Sequence, residues 1–588
     1  MVAQLLLTIL SALAAVRGCD DNDAHNHGKR PTPLIPLTPP SRPLEWGDIN
    51  IIHTTDSHGW LLGHQKESFP EPNYSADFGE FASFVQRMKD IAIEKDVDLL
   101  LVDSGDLHDG SGLTDGYPAG DVNGHDANRF VRQIPYDVMT IGNHELYNYN
   151  VTLDMYKNFV PNIKGHYLSS NVNITTLDQE ENPLNVPVGK RFAKFTTRKG
   201  LDVTALGVIF DFTGNAQNTT VQPVADMIRE EWFAEAIEDE PDLFLLAGHM
   251  PVAKNKWPLV FDAIRAVHPL TPIVILGGHD HIRDCVQLDE RSMSLASGRY
   301  METVGWMSLK FDSCELEGGV TFNRRYLDAN RVTYEYHTGR ITLAKKFNLD
   351  FFLGTSPRDY LKFMAPYPSE DSLLSLFIEK ASPFATSLNN TRASIPKLMI
   401  ANTGGQRFDI FKGPFTRNDQ LTSMPFTNGW LFIPEVPLAI AEQVLPALNH
   451  AGEPHGRRSE LYAQGNVEER FSAWLEEMDR RAGPERREAG NMTLGYVTTD
   501  ACPGEGDDTL HAPLPFHAIP DFIGSRPPPG VAADAPIDLV FLDFIAAQLL
   551  AILNTLQQEK EYTMDDVAEY ASVKTNEVLG VYARHAWR

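Results

Sequence analysis

A layered α/β fold followed by a smaller second domain is what this sequence of 588 residues predicts. Three observations predict it. Apolar runs of strand length alternate with helical or longer segments, which is the pattern of an α/β layered fold. Five of those runs end in a glycine-flanked or turn-like block of Asp, Asn or His, where such folds gather ligand sites. The chain is also too long for one ordinary core.

The elements follow in order. "DINIIHTT" (48–55) is a buried strand, and the spacing of "FGEFASFVQRMKDIAIEK" predicts a helix over 78–95. "VDLLLVDS", "YDVMTIG", "DLFLLAG" and "TPIVILGG" are four further strands. The five strand ends are expected at the same edge of one sheet. "HTGRITLAKKFNLDFFLGTSPRDY" connects to the second domain, in which "IDLVFLDFIAAQLLAIL" (Ile537 to Leu553) reads as a core strand or helix. Its two aspartates and its length argue against a membrane span. The expected organisation is a signal peptide over 1–18, a Pro-rich linker over 19–46, a first domain over 47–325, a connecting segment over 326–365 and a second domain over 366–588.

Charge narrows the partners. With 51 basic against 79 acidic residues the formal net charge is −28, which argues against nucleic acid and against an anionic membrane surface. An anionic small-molecule substrate would then need a locally positive site, such as bound metal. The oligomeric state is not readable.

"MVAQLLLTILSALAAVRGC" carries an apolar run too short to span a bilayer but suited to a signal-peptide core, with cleavage after Ala14 or Gly18 and no stable membrane insertion afterwards. Sequons at Asn73, Asn150, Asn173, Asn218, Asn389 and Asn491 agree with a secretory route, to the extracellular space, cell wall or vacuolar lumen. Of the four cysteines, Cys285 and Cys314 are near enough to close a modest loop, as a disulfide or as two buried thiols; Cys19 and Cys502 have no obvious partner.

The strand ends carry the chemistry. They read Asp56-Ser57-His58, Gly105-Asp106, Gly142-Asn143-His144-Glu145, Gly248-His249 and Gly278-His279-Asp280-His281. Any one alone is an ordinary loop; five in series are not. Seven oxygen and nitrogen donors suit two divalent ions of the Zn, Mn, Fe or Mg type. A shared carboxylate holds such ions about 3.5–4 Å apart, close enough to acidify a bridging water and clamp an in-line displacement at phosphorus.

These blocks, in this order, resemble the calcineurin-like metallophosphoesterases and, more closely, the secreted 5′-nucleotidase family. The resemblance implies a four-layer α/β-β-α sandwich followed by a smaller α+β substrate-binding domain. It implies that Asp56, His58, Asp106 and His281 hold one metal and that Asp106, Asn143, His249 and His279 hold the second. His144 would stay unligated near the phosphate as catalytic acid or transition-state stabiliser. "IANTGGQR" and "MPFTNGW" are similar to the family's substrate segments, which implies contacts from Asn402, Gly404, Gly405 and Arg407 and nucleobase stacking on Phe426.

Three departures stand against this. The family usually has Asp three residues after the catalytic His; here it is Tyr147, whose phenol does not carry charge at neutral pH, so His144 is expected to lose electrostatic support. "TTDACPGEGDDTLH" puts Thr509 where a second stacking aromatic would be, and "YPSEDSLLSLF" replaces a segment bearing a substrate-contacting Arg. Hydrolysis of a phosphate monoester, with nucleoside 5′-monophosphates among the candidates, is the leading expectation. A diester, nucleotide sugar or non-nucleotide phosphate is the alternative, and a metal-binding scaffold that has lost activity ranks last.

Overall fold

The computed structural model describes residues 42–68, 70–178, 180–253, 256–312, 318–330, 347–451, 498, 500–504, 506–508, 517–557 and 560–588. The signal peptide, most of the linker, Cys19, Cys314, Asn491 and Thr509 lie outside the described residues.

Five of the expected strands and the first helix form where the apolar pattern puts them. Strands Ile49–Thr54, Asp98–Asp103 and Val138–Thr140 are parallel neighbours in one six-stranded sheet, extended by Thr303–Phe311 and Val320–Asp328 on one side and by His166–Leu168 on the other. The single-sheet expectation fails, however. Leu243–His249 and Ile273–Gly277 are parallel neighbours in a second six-stranded sheet, with Phe192–Thr196, Asp202–Ile209, Arg283–Asp284 and Ser292–Ser297.

Side-chain alternation explains why two sheets form. Ile49, Ile51, Leu100 and Val102 share a core with Leu245, Ala247, Val274 and Leu276, whereas Ile52 and Leu101 point to the opposite core with Val85 and Met88. Strands that are apolar on both faces must be covered on both. The helix Phe78–Lys95 buries Phe81, Val85 and Met88, and Trp257–Val267 buries Val260, Phe261 and Ile264. Asp77 caps the first helix through a capping box with Glu80. The result is a four-layer sandwich in which the five strand ends come from two facing sheets.

The second core surrounds a five-stranded sheet in the order Phe522–Gly524, Lys397–Asn402, Pro536–Leu542, Trp430–Pro437, Ala568–Ala571. "IDLVFLDFIAAQLLAIL" divides into a strand ending at Leu542 and a helix, Ala546–Leu556. The expected connecting segment contains parts of both cores: Tyr326 belongs to the first, and the strand Phe352–Ser356 carries Leu353 into the second. Among the described residues no helix is long and apolar enough to cross a membrane.

The cysteine expectation is overturned. Cys285 is bonded to Cys502, with Cα atoms 5.6 Å apart and a sequence separation of 217. Residues 500–504 and 506–508, which enter from the second domain, lie along the first domain. Ala501 N donates to Cys285 O at 2.9 Å, and Tyr326 exchanges backbone hydrogen bonds with Gly506 and Asp508. Arg324 donates to the Asp500 carboxylate and to the carbonyls of Cys502, Pro503 and Gly504. Arg283, buried, reaches Asp507 and Asp328 at 2.8 Å each. Proximity along the sequence misled here because this contact is long-range.

Candidate metal centre

All seven expected ligands are buried, and the six that are Asp or His come together into donor groups. Asp56, His58 and His281 form one donor group, Asp106, His249 and His279 another, and His58, Asp106 and His144 a third that links them, each with its donor atoms within 4.8 Å of one another. Five of the seven sit in the left-handed region: Asp56 (φ 50°), His58 (45°), Asp106 (59°), His279 (79°) and His281 (59°). Glycine would adopt that backbone freely but has no side chain to offer, so the strain, about 1–3 kcal/mol each, is held by the surrounding packing. Glycine stands instead where two loops touch: a Cβ on Gly142 would lie 2.1 Å from Asp106 Oδ1.

The hydrogen bonds fix which ring nitrogens face inward. His58 Nδ1 donates to His108 O at 2.6 Å, so its Nε2 carries the lone pair, 3.1 Å from His281 Nε2. His249 Nδ1 donates to Ser104 O at 2.9 Å, which turns Nε2 toward Asp106 Oδ2 at 3.0 Å and Asp56 Oδ1 at 3.7 Å. Lone pairs aimed at carboxylates call for a cation between them, and imidazoles oriented by outer carbonyls are how proteins prepare metal ligands. With no cation between them, the same carboxylates draw a proton onto His249, which is the same demand for positive charge. Burial alone would lower His249, yet Asp106 and Asp56 lift it to about 10. Burial would raise Asp106, yet His249, His144 and His58 hold it well below the usual carboxylate range. Asp56 is raised, chiefly by burial. The donor set therefore fits divalent metal ions.

Asn143 and Tyr147 form a unit that the sequence did not disclose. Asn143 Nδ2 donates to the Tyr147 hydroxyl at 3.2 Å, and Asn143 Oδ1 is buried without a hydrogen-bond partner. The amide is thereby turned so that its oxygen is the atom left to ligate. Burial pushes the Tyr147 phenol up, so it stays neutral. His144 also does not lack a carboxylate: its Nδ1 lies 2.9 Å from Asp109 Oδ2, which corrects the expectation that Tyr147 leaves it unsupported. Asp109, in the loop after Asp106, was missed, and Glu145, though in the third block, had no role assigned. Glu145 accepts from the backbone N–H of Gly142, Asp106 and Leu107, locking two strand-end loops together. The short spacing of "GDLHDG" was the only signal for Asp109.

The second domain reaches the same place. The turn Thr403–Gly405, with Gly404 and Gly405 buried, follows the strand ending at Asn402 and leads into Arg407, itself buried. Burial and then the Arg407 guanidinium hold His281 well below its ordinary value. Arg407 lies over the Phe426 ring at 5.8 Å, and Phe426 is 6.1 Å from His144. Phe408 packs against Trp60, which stacks on His64 and Tyr300. Of the described sequons, Asn150, Asn218 and Asn389 are exposed, Asn73 is half-buried, and Asn173 is engaged with Asn185 and Arg191.

The family model described as calcineurin-like phosphoesterase matches residues 49–283, and the one described as NAD nucleotidase, C-terminal domain, matches 359–550. The crystal structure of 5′-nucleotidase from Candida albicans SC5314 is 33% identical, covering 93% of this chain and 100% of that one, with a TM-score of 0.80. The chain belongs to the 5′-nucleotidase family of calcineurin-like phosphoesterases. An Arthroderma benhamiae relative named "Secreted protein" is 35% identical over 95% of this chain and 93% of its own, and an uncharacterised Schizosaccharomyces pombe relative is 36% identical over 90% and 89%. Membership makes the chain a metal-dependent phosphoric ester hydrolase, with its candidate ligands on the matched 49–283 segment.

Proposed function

We propose that the protein is a phosphomonoesterase of the secretory route that uses two divalent ions and accepts nucleoside 5′-monophosphates. The observation that carries this reading is the meeting of Arg407 and Phe426 with the metal centre, because it puts a cation and a flat apolar face beside the seven ligands. When bound, the ions supply Lewis-acid neutralisation of phosphoryl charge and a more acidic water. Arg407 offers a forked donor to phosphate oxygens, which an ammonium could not match. Phe426 offers a stacking face for a base. His144, its Nδ1 directed at Asp109, presents Nε2 toward Asp106 at 3.8 Å, where it stabilises charge on the phosphoryl group or protonates the leaving oxygen.

A second reading, a nucleotide sugar or other diphosphate ester, is favoured by the match of 359–550 to the NAD nucleotidase C-terminal domain. A substrate panel separates the two: AMP, UDP-glucose, cyclic nucleotides and sugar phosphates, assayed with Mn or Zn. The first reading expects AMP to lead, and Arg407→Ala to raise KM at least tenfold. Preference for UDP-glucose moves the assignment to the second reading, and no turnover of any ester with any divalent ion overturns both.

A further inference from the structure

We propose that Phe408 is the positioning residue of Arg407: its ring, seated in an aromatic socket of the first domain, holds the guanidinium of the second domain beside the metal centre. The inference rests on the reading of Arg407 as the phosphate-binding cation given above.

Three observations carry it. First, Phe408 reaches from one domain to the other. It follows Arg407 in the second domain, and its ring centroid lies 4.7 Å from that of Trp60, 5.8 Å from His64 and 6.2 Å from Tyr300, all three in the first domain. Each contact is edge-on, the arrangement that aromatic quadrupoles favour. On its own domain the ring meets Phe411 at 6.3 Å. Second, the socket is held from behind. Trp60 stacks on His64 at 4.3 Å and on Tyr300 at 5.2 Å, and all three are buried. His64 Nδ1 is 2.7 Å from Glu71 Oε2, and its Nε2 is 3.1 Å from Tyr300 O. Both ring nitrogens therefore face acceptors, and the imidazole carries a proton on each. A cation stacked on an indole face is attracted to it, so the stack is held by charge as well as by area. Third, the socket is continuous with the metal ligands. Tyr300 N donates to Asp56 O at 2.8 Å, and the Tyr300 ring lies 5.6 Å from His58 and 5.5 Å from His281. His281 is also the ligand on which the Arg407 guanidinium acts. Within the second domain, Arg407 N donates to Ser423 O at 2.9 Å and the guanidinium lies over Phe426. Those contacts place Arg407 in its own domain; Phe408, one peptide bond away, is what ties that position to the metal ligands.

The test uses the full-length, metal-loaded protein, with a chromogenic phosphate ester for rates and inorganic phosphate for binding by calorimetry. Phe408→Ala removes the ring. Phe408→Leu keeps much of the apolar volume without the ring, so a folded variant remains if the alanine variant does not yield one. Expected in Phe408→Ala is a rise of about 3–10-fold in KM and in the phosphate dissociation constant, the worth of edge-to-face ring contacts. Because the lost interaction is one of binding, kcat is expected to stay within about twofold of wild type, with metal content per chain unchanged. Phe408→Leu is expected to show part of the same rise. A ring that only filled space would lower the melting temperature and leave KM and phosphate affinity where they were. In an Arg407→Ala background, Phe408→Ala is expected to add nothing further to KM, since both act through one group. Unchanged KM and phosphate affinity in both Phe408 variants, additive losses in the double variant, or loss of metal from Phe408→Ala would each overturn the proposal. An unchanged KM in Arg407→Ala alone would instead overturn the reading of Arg407 beneath it, so the two failures are distinguishable.

Discussion

Removing the Cys285–Cys502 bond is expected to weaken the protein by several kcal/mol. The bond closes a loop across a sequence separation of 217, and restricting the unfolded chain over that length is worth about 5 kcal/mol on the chain-entropy relation. Loss of a native bridge costs about 2–5 kcal/mol in practice. The lower part of that range is expected here, because Arg324 with its four acceptors and the buried Arg283–Asp507 pair still hold residues 500–504 and Asp507 in place. The assay is urea unfolding of Cys285→Ser/Cys502→Ser against wild type under non-reducing conditions, with Cys314→Ser as control. The double variant should unfold at a clearly lower urea midpoint and the control at the wild-type midpoint. An unchanged midpoint in the double variant, or a Cys285–Cys314 peptide in a non-reducing digest, would refute the reasoning.

Three further outcomes are expected. Gly142→Ala places a methyl 2.1 Å from Asp106 Oδ1, so metal content and activity should fall together, activity by about 100-fold for a displacement near 1 Å; retention of two metals at full rate would contradict the packing. His64 is a buried titratable group away from the metals. Burial alone would lower it, but Glu71 at 2.7 Å, with Glu302, holds it above 6.5. A raised imidazole contributes stability that is complete below pH 6.5 and lost as pH rises through its folded value. Melting temperature should therefore decline above pH 6.5 in wild type and less steeply in His64→Gln; identical slopes would count against the ion pair. Arg324→Ala removes the guanidinium that joins Asp500 to three backbone carbonyls, while Cys502 N still donates to Asp500, and should cost about 1–3 kcal/mol in urea unfolding, whereas an unchanged midpoint would mean this segment is held otherwise.

The strand ends were legible because each is announced locally. An apolar run followed by a turn and a carboxylate or imidazole needs no knowledge of the rest of the chain, and the helix Phe78–Lys95 was readable from its spacing for the same reason. What distant residues decide was not legible. Two sheets rather than one follow from which strands find each other, and Cys502 meets Cys285 only because the residues around Cys502 lie on the first domain. Asp109 escaped because a residue in the left-handed region aims its side chain where sequence spacing does not suggest. The substitution at Tyr147 looked like a loss of charge, but the carboxylate had moved to another loop and the phenol had taken the amide of Asn143.

Phosphate release from AMP by the purified protein, supplied with Mn or Zn and compared with Asp106→Ala, bears most directly on the central claim. Asp106 touches both donor groups and is within 3.0 Å of His249, so its removal should empty both metal positions and abolish release. Metal-dependent release by wild type and none by the variant is the expected result. Equal release from both proteins, or none from wild type with any divalent ion, would contradict a dimetal phosphohydrolase.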